Sequence, residues 1–138
     1  KTTKPPTYSS TAWAFVEGNP YFTLEMLSSK LWNFRLNDLM ATNTDGSWKV
    51  FTTLSVVGRL YNQDVTDSMV NVVWTRDSGN PTADNKWALS HANCGLSVDL
   101  TYEDLGGAAF KIGSVTFRCN AEIRDGETMY SEDVSVSF

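Results

Sequence analysis

The stretch that decides the fold is Val115–Ile123, with the sequence VTFRCNAEI. Its odd-numbered positions carry apolar side chains and its even-numbered positions carry polar ones. Because successive side chains of a strand point to opposite faces, this alternation indicates one buried face and one solvated face. The stretch therefore predicts a strand in an antiparallel sheet that covers a hydrophobic core.

Outward from this stretch, short apolar and polar alternations recur between turn signals. Asp125-Gly126 is a hairpin signal, and so is Thr44-Asp45-Gly46. We find no convincing amphipathic helix of ten residues or more. The pattern predicts an all-β fold, an antiparallel sandwich of seven or more strands. The further strands are expected at Leu31–Leu36, Val50–Tyr61, Val70–Thr75, Leu96–Leu100 and Val134–Phe138.

Two of the connections between the predicted strands have distinctive sequences. Thr101–Gly107 is predicted to form a short helical turn, capped by Thr101 and ended by the glycines. Arg76–Asn93 is long and polar, and we interpret it as a loop that begins with a turn at Arg76–Pro81. This loop is the longest polar connection within the predicted sandwich.

The beginning of the chain differs from the rest. Residues 1–11 contain Pro5-Pro6 among small polar residues, which is typical of a linker or arm. Residues 12–29 are predicted to form an accessory N-terminal strand or hairpin, and residues 30–138 the sandwich domain. The alternative is that this first segment lends a strand to a neighbouring module.

Composition narrows the classes of function. The chain has 138 residues, of which 41% are apolar and 20% charged, as expected for one globular domain. Its formal net charge of -5 argues against nucleic acid as a partner. The absence of an apolar run of about 18 residues argues against membrane insertion. A start at Lys1 rather than Met suggests a module of a longer protein, or a processed one.

Several of these residues resemble the frame of an immunoglobulin-like domain. They are Trp74 on a central strand, Leu96-x-Val98-x-Leu100 followed by Asp104-Leu105-Gly106, and Phe117-x-Cys119. The resemblance implies that they belong to strands C, E and F of two packed sheets. Phe117 stands where the family has a tyrosine, and the expected strand B, Val50–Tyr61, has no cysteine. The disulfide between strands B and F therefore cannot form, and we expect Cys94 and Cys119 to be free and buried, although a non-standard bridge stays open.

A second group of residues carries a narrower resemblance. It comprises Val73–Gly79, Asp84-x-x-Trp87-x-x-x-His91, Asp104-Leu105-Gly106 and Phe117-Arg118-Cys119. These residues are similar to those of immunoglobulin-like domains in structural proteins of Bacteroidetes phages and prophages. The resemblance implies a location on a virion surface or outside the cell, and a role in adhesion through exposed loops, some of which are hypervariable. The implied partners are a cell-surface carbohydrate or protein and other modules of the same parent protein.

Catalytic arrangements are weakly supported. His91 could form a dyad with Cys94, but we favour a histidine that caps backbone or packs on an aromatic ring. Glu103-Asp104 and Glu132-Asp133 are adjacent pairs, which point to opposite faces and cannot act together on a glycosidic bond. Asp104 is more plausible as an anchor of its turn. No enzymatic activity and no cofactor is predicted.

Metal sites are equally weak. Oxygen-rich turns at Asn43–Gly46 and Asp77–Asn85 lack the spacing of an EF-hand loop, and one histidine with two cysteines is too few for zinc. We therefore predict no bound metal.

Surface recognition is the remaining class of function. The candidate site is the Arg76–Asn93 loop, because tyrosine, tryptophan, arginine and asparagine on loops of a rigid scaffold are typical of binding surfaces. The alternatives are that Trp87 folds back over the core edge, that the chain is a structural spacer without a ligand, or that it is a carbohydrate-active enzyme module. The candidate binding residues are Arg76, Asp77, Asn80, Asp84, Asn85, Lys86, Trp87 and His91.

Overall fold

The computed structural model describes residues 21–30 and 34–138 and consists mainly of antiparallel strands. Two α-helices accompany them, α1 (Leu36–Leu39) and α2 (Pro81–Ser90), together with 3₁₀ helices at Thr66–Ser68, Tyr102–Leu105 and Gly107–Ala109. None of these helices has the length and apolar composition that a membrane span requires. The strands are β1 (Phe22–Ser28), β2 (Thr52–Leu60), β3 (Gln63–Asp64), β4 (Val70–Asp77), β5 (Ser97–Leu100), β6 (Thr116–Asp125) and β7 (Thr128–Ser137).

The first sheet is organised around β2. β1 pairs with it along its whole length, from Phe22 opposite Leu60 to Ser28 opposite Leu54. On the other side of β2, β5 pairs with its first half and β3 with its last two residues. Within residues 12–29, which are predicted to form a strand or hairpin, Phe22–Ser28 is extended as β1. The other predictions for residues 1–20 lie outside the described residues, and the division at residue 30 stays a prediction.

The second sheet has the order β4-β6-β7. The β6–β7 hairpin turns at Gly126, whose φ of 63° is the left-handed conformation that the Asp-Gly signal predicted. β4 pairs with β6 without interruption from Val73 opposite Asn120 to Asp77 opposite Thr116. A register shift interrupts this pairing between Val70 and Val73, where Asn71 has a φ of 53°. The Asn71 amide donates a 2.6 Å hydrogen bond to Glu122.

The main core lies between the two sheets. Trp74 and Phe117 of the second sheet and Leu54, Val56 and Leu100 of the first are 2% exposed or less and belong to one contiguous cluster. The strands predicted at Val50–Tyr61 and Leu96–Leu100 are confirmed by β2 and β5, and the inward positions predicted for Val115–Ile123 are buried. The architecture is thus all-antiparallel and resembles a β-sandwich.

The prediction of a half-buried strand at Leu31–Leu36 is wrong for the residues that the structure describes. Residues 31–33 lie outside them, and Leu36 begins α1 with 55% of its surface exposed. The reason is local, because the Asp38 carboxylate accepts a hydrogen bond from the Arg35 N–H and closes a helical turn.

The interpretation of Arg76–Asn93 as a loop is also wrong, because this connection contains a helix. α2 spans ten residues inside the connection interpreted as a loop. Asn80 caps its start by accepting a 3.2 Å hydrogen bond from the Ala83 N–H, and Pro81 occupies the first helical position. Trp87 is its one fully buried residue, so the helix has no apolar stripe for a periodicity argument to detect.

Candidate functional site

A groove of about 860 Å³ lies between α2 and the residues that follow β5. One wall is α2, and the other is formed by the 3₁₀ helices at Tyr102–Leu105 and Gly107–Ala109. The structure therefore brings most of the candidate binding residues to one surface. Those that line the groove are Arg76, Asn80, Lys86, Trp87 and His91.

Trp87 attaches α2 to the sandwich. Its side chain is 6% exposed, and its ring centroid lies 5.4 Å from that of Phe117 in the core. The indole N–H donates a 2.9 Å hydrogen bond to Asp104 Oδ1. The alternative prediction, in which Trp87 covers the core edge, is thus confirmed, and the ring is a wall of the groove rather than an exposed contact.

Arg76 forms the polar floor of the groove, and Asp84 pairs with it from behind. Arg76 Nε lies 2.7 Å from Asp84 Oδ1, and the two side chains are 9% and 11% exposed. Arg76 Nη1 also donates a 3.0 Å hydrogen bond to the Asp104 carbonyl oxygen. β4, α2 and the turn after β5 are therefore joined by one charged network, which fixes the floor in a single arrangement.

The pKa of Asp84 is set by its burial and by its hydrogen bonds. Burial on its own would raise the pKa, but hydrogen bonds from the Ser78 N–H and hydroxyl and from Arg76 outweigh it and hold the pKa below its usual value. Asp84 is therefore a buried anion at neutral pH, and its charge is compensated within the chain.

Asp104 organises the opposite wall. Its Oδ2 accepts hydrogen bonds from the Thr101 N–H at 2.7 Å and the Thr101 hydroxyl at 3.1 Å. Gly106 ends the turn with a φ of 107°, a conformation that favours glycine. The predictions of a short helical turn over Thr101–Gly107 and of Asp104 as its anchor are confirmed.

His91 is held by α2 itself. Its ring stacks on Trp87 with centroids 4.0 Å apart, and Nδ1 lies 2.7 Å from the Trp87 carbonyl oxygen. The Ser90 hydroxyl is a further partner of Nδ1 at 2.9 Å. The prediction that His91 packs on an aromatic ring is confirmed.

The remaining candidate residues lie away from the groove lining. Asp77 accepts a hydrogen bond from the Gly79 N–H within its own turn. Asp84 lies behind the floor, and Asn85 is exposed on α2. Sequence reasoning missed several lining residues because nothing local places distant segments beside α2. These are Trp48, Glu103, Gly107, Ala108, Ala109 and Ser114.

Both cysteines are free. Cys119 is fully buried on β6, and burial raises its pKa to about 12. Cys94 is only half-buried, which corrects the expectation of a fully buried thiol. Burial, followed by the charges of Asp99 and Asp104, raises its pKa as well. Both are neutral thiols at pH 7.

Metal ligands do not come together within residues 21–30 and 34–138, where no group of three His, Cys, Asp or Glu side chains is suited to a metal ion. The oxygen-rich turn at Asn43–Gly46 uses its own donors instead. Asp45 Oδ1 accepts hydrogen bonds from the N–H and the hydroxyl of Ser47, at 2.9 and 2.6 Å.

Comparison of the sequence with protein-family models, with curated proteins and with solved structures gives no match.

Proposed function

We propose that the chain is a non-enzymatic immunoglobulin-like module of a phage virion or cell-surface protein. It presents the groove beside α2 for adhesion to a cell-surface carbohydrate or protein. The observation that carries this proposal is the construction of the groove, in which a locked polar floor supports an exposed rim. Such a surface loses little conformational freedom when a ligand binds.

Strand order supports the immunoglobulin-like part of the proposal. β1, β2 and β5 correspond in their pairing to strands A, B and E of that fold, and β4, β6 and β7 to strands C, F and G. α2 occupies the connection in which the fold usually places strand D. The helix thus adds a wall where other members of the fold have a strand or a loop.

The chemistry of the groove supports binding rather than catalysis. Its lining carboxylates are Glu103 and Asp104, and both Asp104 oxygens already accept hydrogen bonds. His91 is engaged with the α2 backbone, and the Ser78 hydroxyl with Asp84. A triad needs a nucleophile and a base in mutual contact, and a glycosidase needs two carboxylates across a cleft. Ser90 and His91 of the lining are in contact at 2.9 Å, but His91 Nδ1 also lies 2.7 Å from the Trp87 carbonyl oxygen, to which it can only donate its proton, so it does not serve as a base for the Ser90 hydroxyl. Glu103 and Asp104 are neighbours on one wall and do not face each other across the groove.

The exposed rim is the part that a ligand would contact. Lys86 on α2 and Glu103 on the opposite wall are exposed and of opposite charge. Arg76 in the floor and Trp87 in the wall hold the groove together instead, so their replacement would alter the fold as well as any binding. Lys86 and Glu103 are therefore the residues with which to test the groove.

The test measures binding of the chain to a glycan array and to intact Bacteroidetes cells. Lys86→Ala and Glu103→Ala are expected to weaken binding by about threefold to tenfold, the effect of a rim charge on affinity. Asn85→Ala is the matched control, because Asn85 is exposed on α2 but outside the groove. Binding that all three folded variants retain would move the ligand away from the groove, and no binding by the unchanged chain would favour the spacer alternative.

A further inference from the structure

Three tyrosine rings meet at the end of the sandwich opposite α2. We name Tyr21, Tyr61 and Tyr130 the tyrosine cluster. The ring of Tyr21 lies 5.3 Å from that of Tyr61 and 6.0 Å from that of Tyr130, measured between centroids. Tyr21 and Tyr61 are 49% and 53% exposed, and Tyr130 is half-buried. The cluster joins residues that are distant in the chain, which is why no local pattern predicted it.

The tyrosine cluster contains residues from both sheets, at the same end of the sandwich. Tyr61 follows β2 in the first sheet, and Tyr130 belongs to β7 in the second. The Tyr61 hydroxyl donates a 2.8 Å hydrogen bond to Asp125 Oδ2, at the end of β6. Hydrogen bonds with Tyr130 and then with Asp125 raise the pKa of Tyr61, so its hydroxyl stays neutral. The two sheets are thus bridged by the cluster's polar groups.

Tyr61 is held in an unfavourable backbone conformation. It forms the turn between β2 and β3 with Asn62, and their φ angles are 52° and 66°. Two positive φ values are typical of a tight hairpin turn that favours Asn-Gly, and a bulky residue at the first position is unusual. Strain of this kind concentrates at functional sites, because surrounding contacts must maintain it.

A purely structural role accounts for part of the cluster. Tyr130 packs on a small second core formed by Phe22, Leu60 and Ile123. Covering that core requires only the ring of Tyr130, whereas about half of the Tyr61 surface faces solvent. An asparagine at position 61 would satisfy the turn without strain. The exposed ring is therefore better explained by an external ligand.

The exposed area and the charge of the tyrosine cluster indicate which class of ligand fits it. A tyrosine offers about 200 Å² at most, so three partly exposed rings fall far below the roughly 800 Å² that each partner contributes to a stable protein interface. The negative face of an aromatic ring suits the C–H face of a sugar ring, and the Asp125 carboxylate can accept hydrogen bonds from sugar hydroxyls. Asp125, and Glu127 two residues further along the hairpin, disfavour an acidic sugar.

We infer that the tyrosine cluster is a second binding site, separate from the groove, which takes a neutral glycan. Tyr61 supplies an exposed ring face, Tyr130 positions it, and Asp125 accepts hydrogen bonds from the sugar hydroxyls. The site does not depend on the groove, because it lies at the other end of both sheets.

The experiment compares the chain with Tyr61→Asn and Tyr61→Phe on an array of neutral and sialylated glycans, followed by calorimetric titration of the neutral glycans bound. Tyr61→Asn removes the ring and relieves the turn but also loses the hydrogen bond to Asp125, so we expect a thermal stability close to that of the unchanged chain. Its affinity for neutral glycans should be lowered by about tenfold or more. Tyr61→Phe keeps the ring and is expected to lose less. Asn85→Ala is the control and leaves this binding unchanged, because Asn85 is exposed on α2 and lies outside both the groove and the tyrosine cluster.

Three results would overturn the inference. The first is that the folded chain binds no neutral glycan. The second is that the glycan is bound elsewhere, as shown when Tyr61→Asn binds neutral glycans as tightly as the unchanged chain. Loss of neutral-glycan binding in Lys86→Ala alone has the same meaning and would assign the glycan to the groove. The third is a blank array combined with self-association or protein binding that Tyr61→Asn abolishes, which would assign the cluster to a protein partner.

Discussion

The indole N–H of Trp87 and the carboxylate of Asp104 are joined by a 2.9 Å hydrogen bond, which ties α2 to the turn after β5. We expect Trp87→Phe to keep most of the packing but to lower the free energy of unfolding by about 1.5–3 kcal/mol, the contribution of a hydrogen bond to a charged group. Trp87→Ala should lower it by about 3–5 kcal/mol, because the ring is also lost. Urea unfolding followed by circular dichroism measures both.

Leu89→Ala is the control for this prediction, since Leu89 is on the same helix and 78% exposed. Its free energy of unfolding should stay within about 0.5 kcal/mol of the original. Equal stability of Trp87→Phe and the unchanged chain would show that the hydrogen bond contributes nothing to the attachment of α2.

Asp84 should make stability depend on acid. Its pKa is lower in the folded chain than the value of about 3.9 expected when unfolded. The unfolded chain therefore binds the proton first as the pH falls, and the stabilisation that is present above about pH 4 is lost as the pH falls through the folded pKa. Asp84→Asn should be about 3 kcal/mol less stable at pH 7, because the buried charge of Arg76 loses its partner.

The same variant should also depend less on pH between 5 and 3, as measured by denaturant unfolding at each pH. Asp133→Asn is the comparison, because its contact with Arg118 is 3.8 Å long and more than half exposed. That change should alter stability by less than about 1 kcal/mol. An unchanged acid dependence in Asp84→Asn would contradict the role given to this carboxylate.

The two thiols should react at different rates. Cys94 is half-buried, whereas Cys119 is fully buried and its pKa is raised to about 12. Because the thiolate is the reactive form, an alkylating reagent at pH 8 should modify Cys94 first and Cys119 only after unfolding. Mass spectrometry of peptides over time measures each site, with denatured protein as the reference in which both react. Early modification of Cys119 in the folded chain would contradict the core described above.

Gly58 should tolerate no side chain. A methyl group there would overlap the sulfur of Met69 and lie 3.1 Å from Cε1 of Phe22. We expect Gly58→Ala to lower the free energy of unfolding by about 1–3 kcal/mol, as overpacking of a core does. In the double variant with Met69→Ala the losses should be less than additive, since the overlapping side chain has been shortened. Strict additivity in thermal or urea unfolding would show that Met69 is not the obstacle.

The strands could be predicted from the sequence because their pattern repeats within a few residues. Val115–Ile123 alternates strictly, and its inward side chains are buried as expected. α2 could not be recognised by periodicity, because Trp87 is its one fully buried residue. The signal that was present is Asn80-Pro81, a capping residue followed by a proline at the first helical position.

The sites depend on contacts that no local pattern contains. The candidate residues were found as a polar segment, but the wall facing them comes from Glu103 to Ala109, which only the docking of α2 brings close. Tyr61 and Asp125 are 64 residues apart in the chain. A sequence without aligned relatives gives no information on such pairs, so the tyrosine cluster required the folded structure.

The irregular pairing of β4 affects how a second copy of the chain can pair with this edge of the sheet. β4 is an outer strand of its sheet, and the register shift at Val70–Val73 with the left-handed Asn71 interrupts its row of backbone donors and acceptors. A straight row is what a second chain needs in order to extend the sheet and begin a fibril. The bulge thus protects the molecule against edge-to-edge aggregation at this strand.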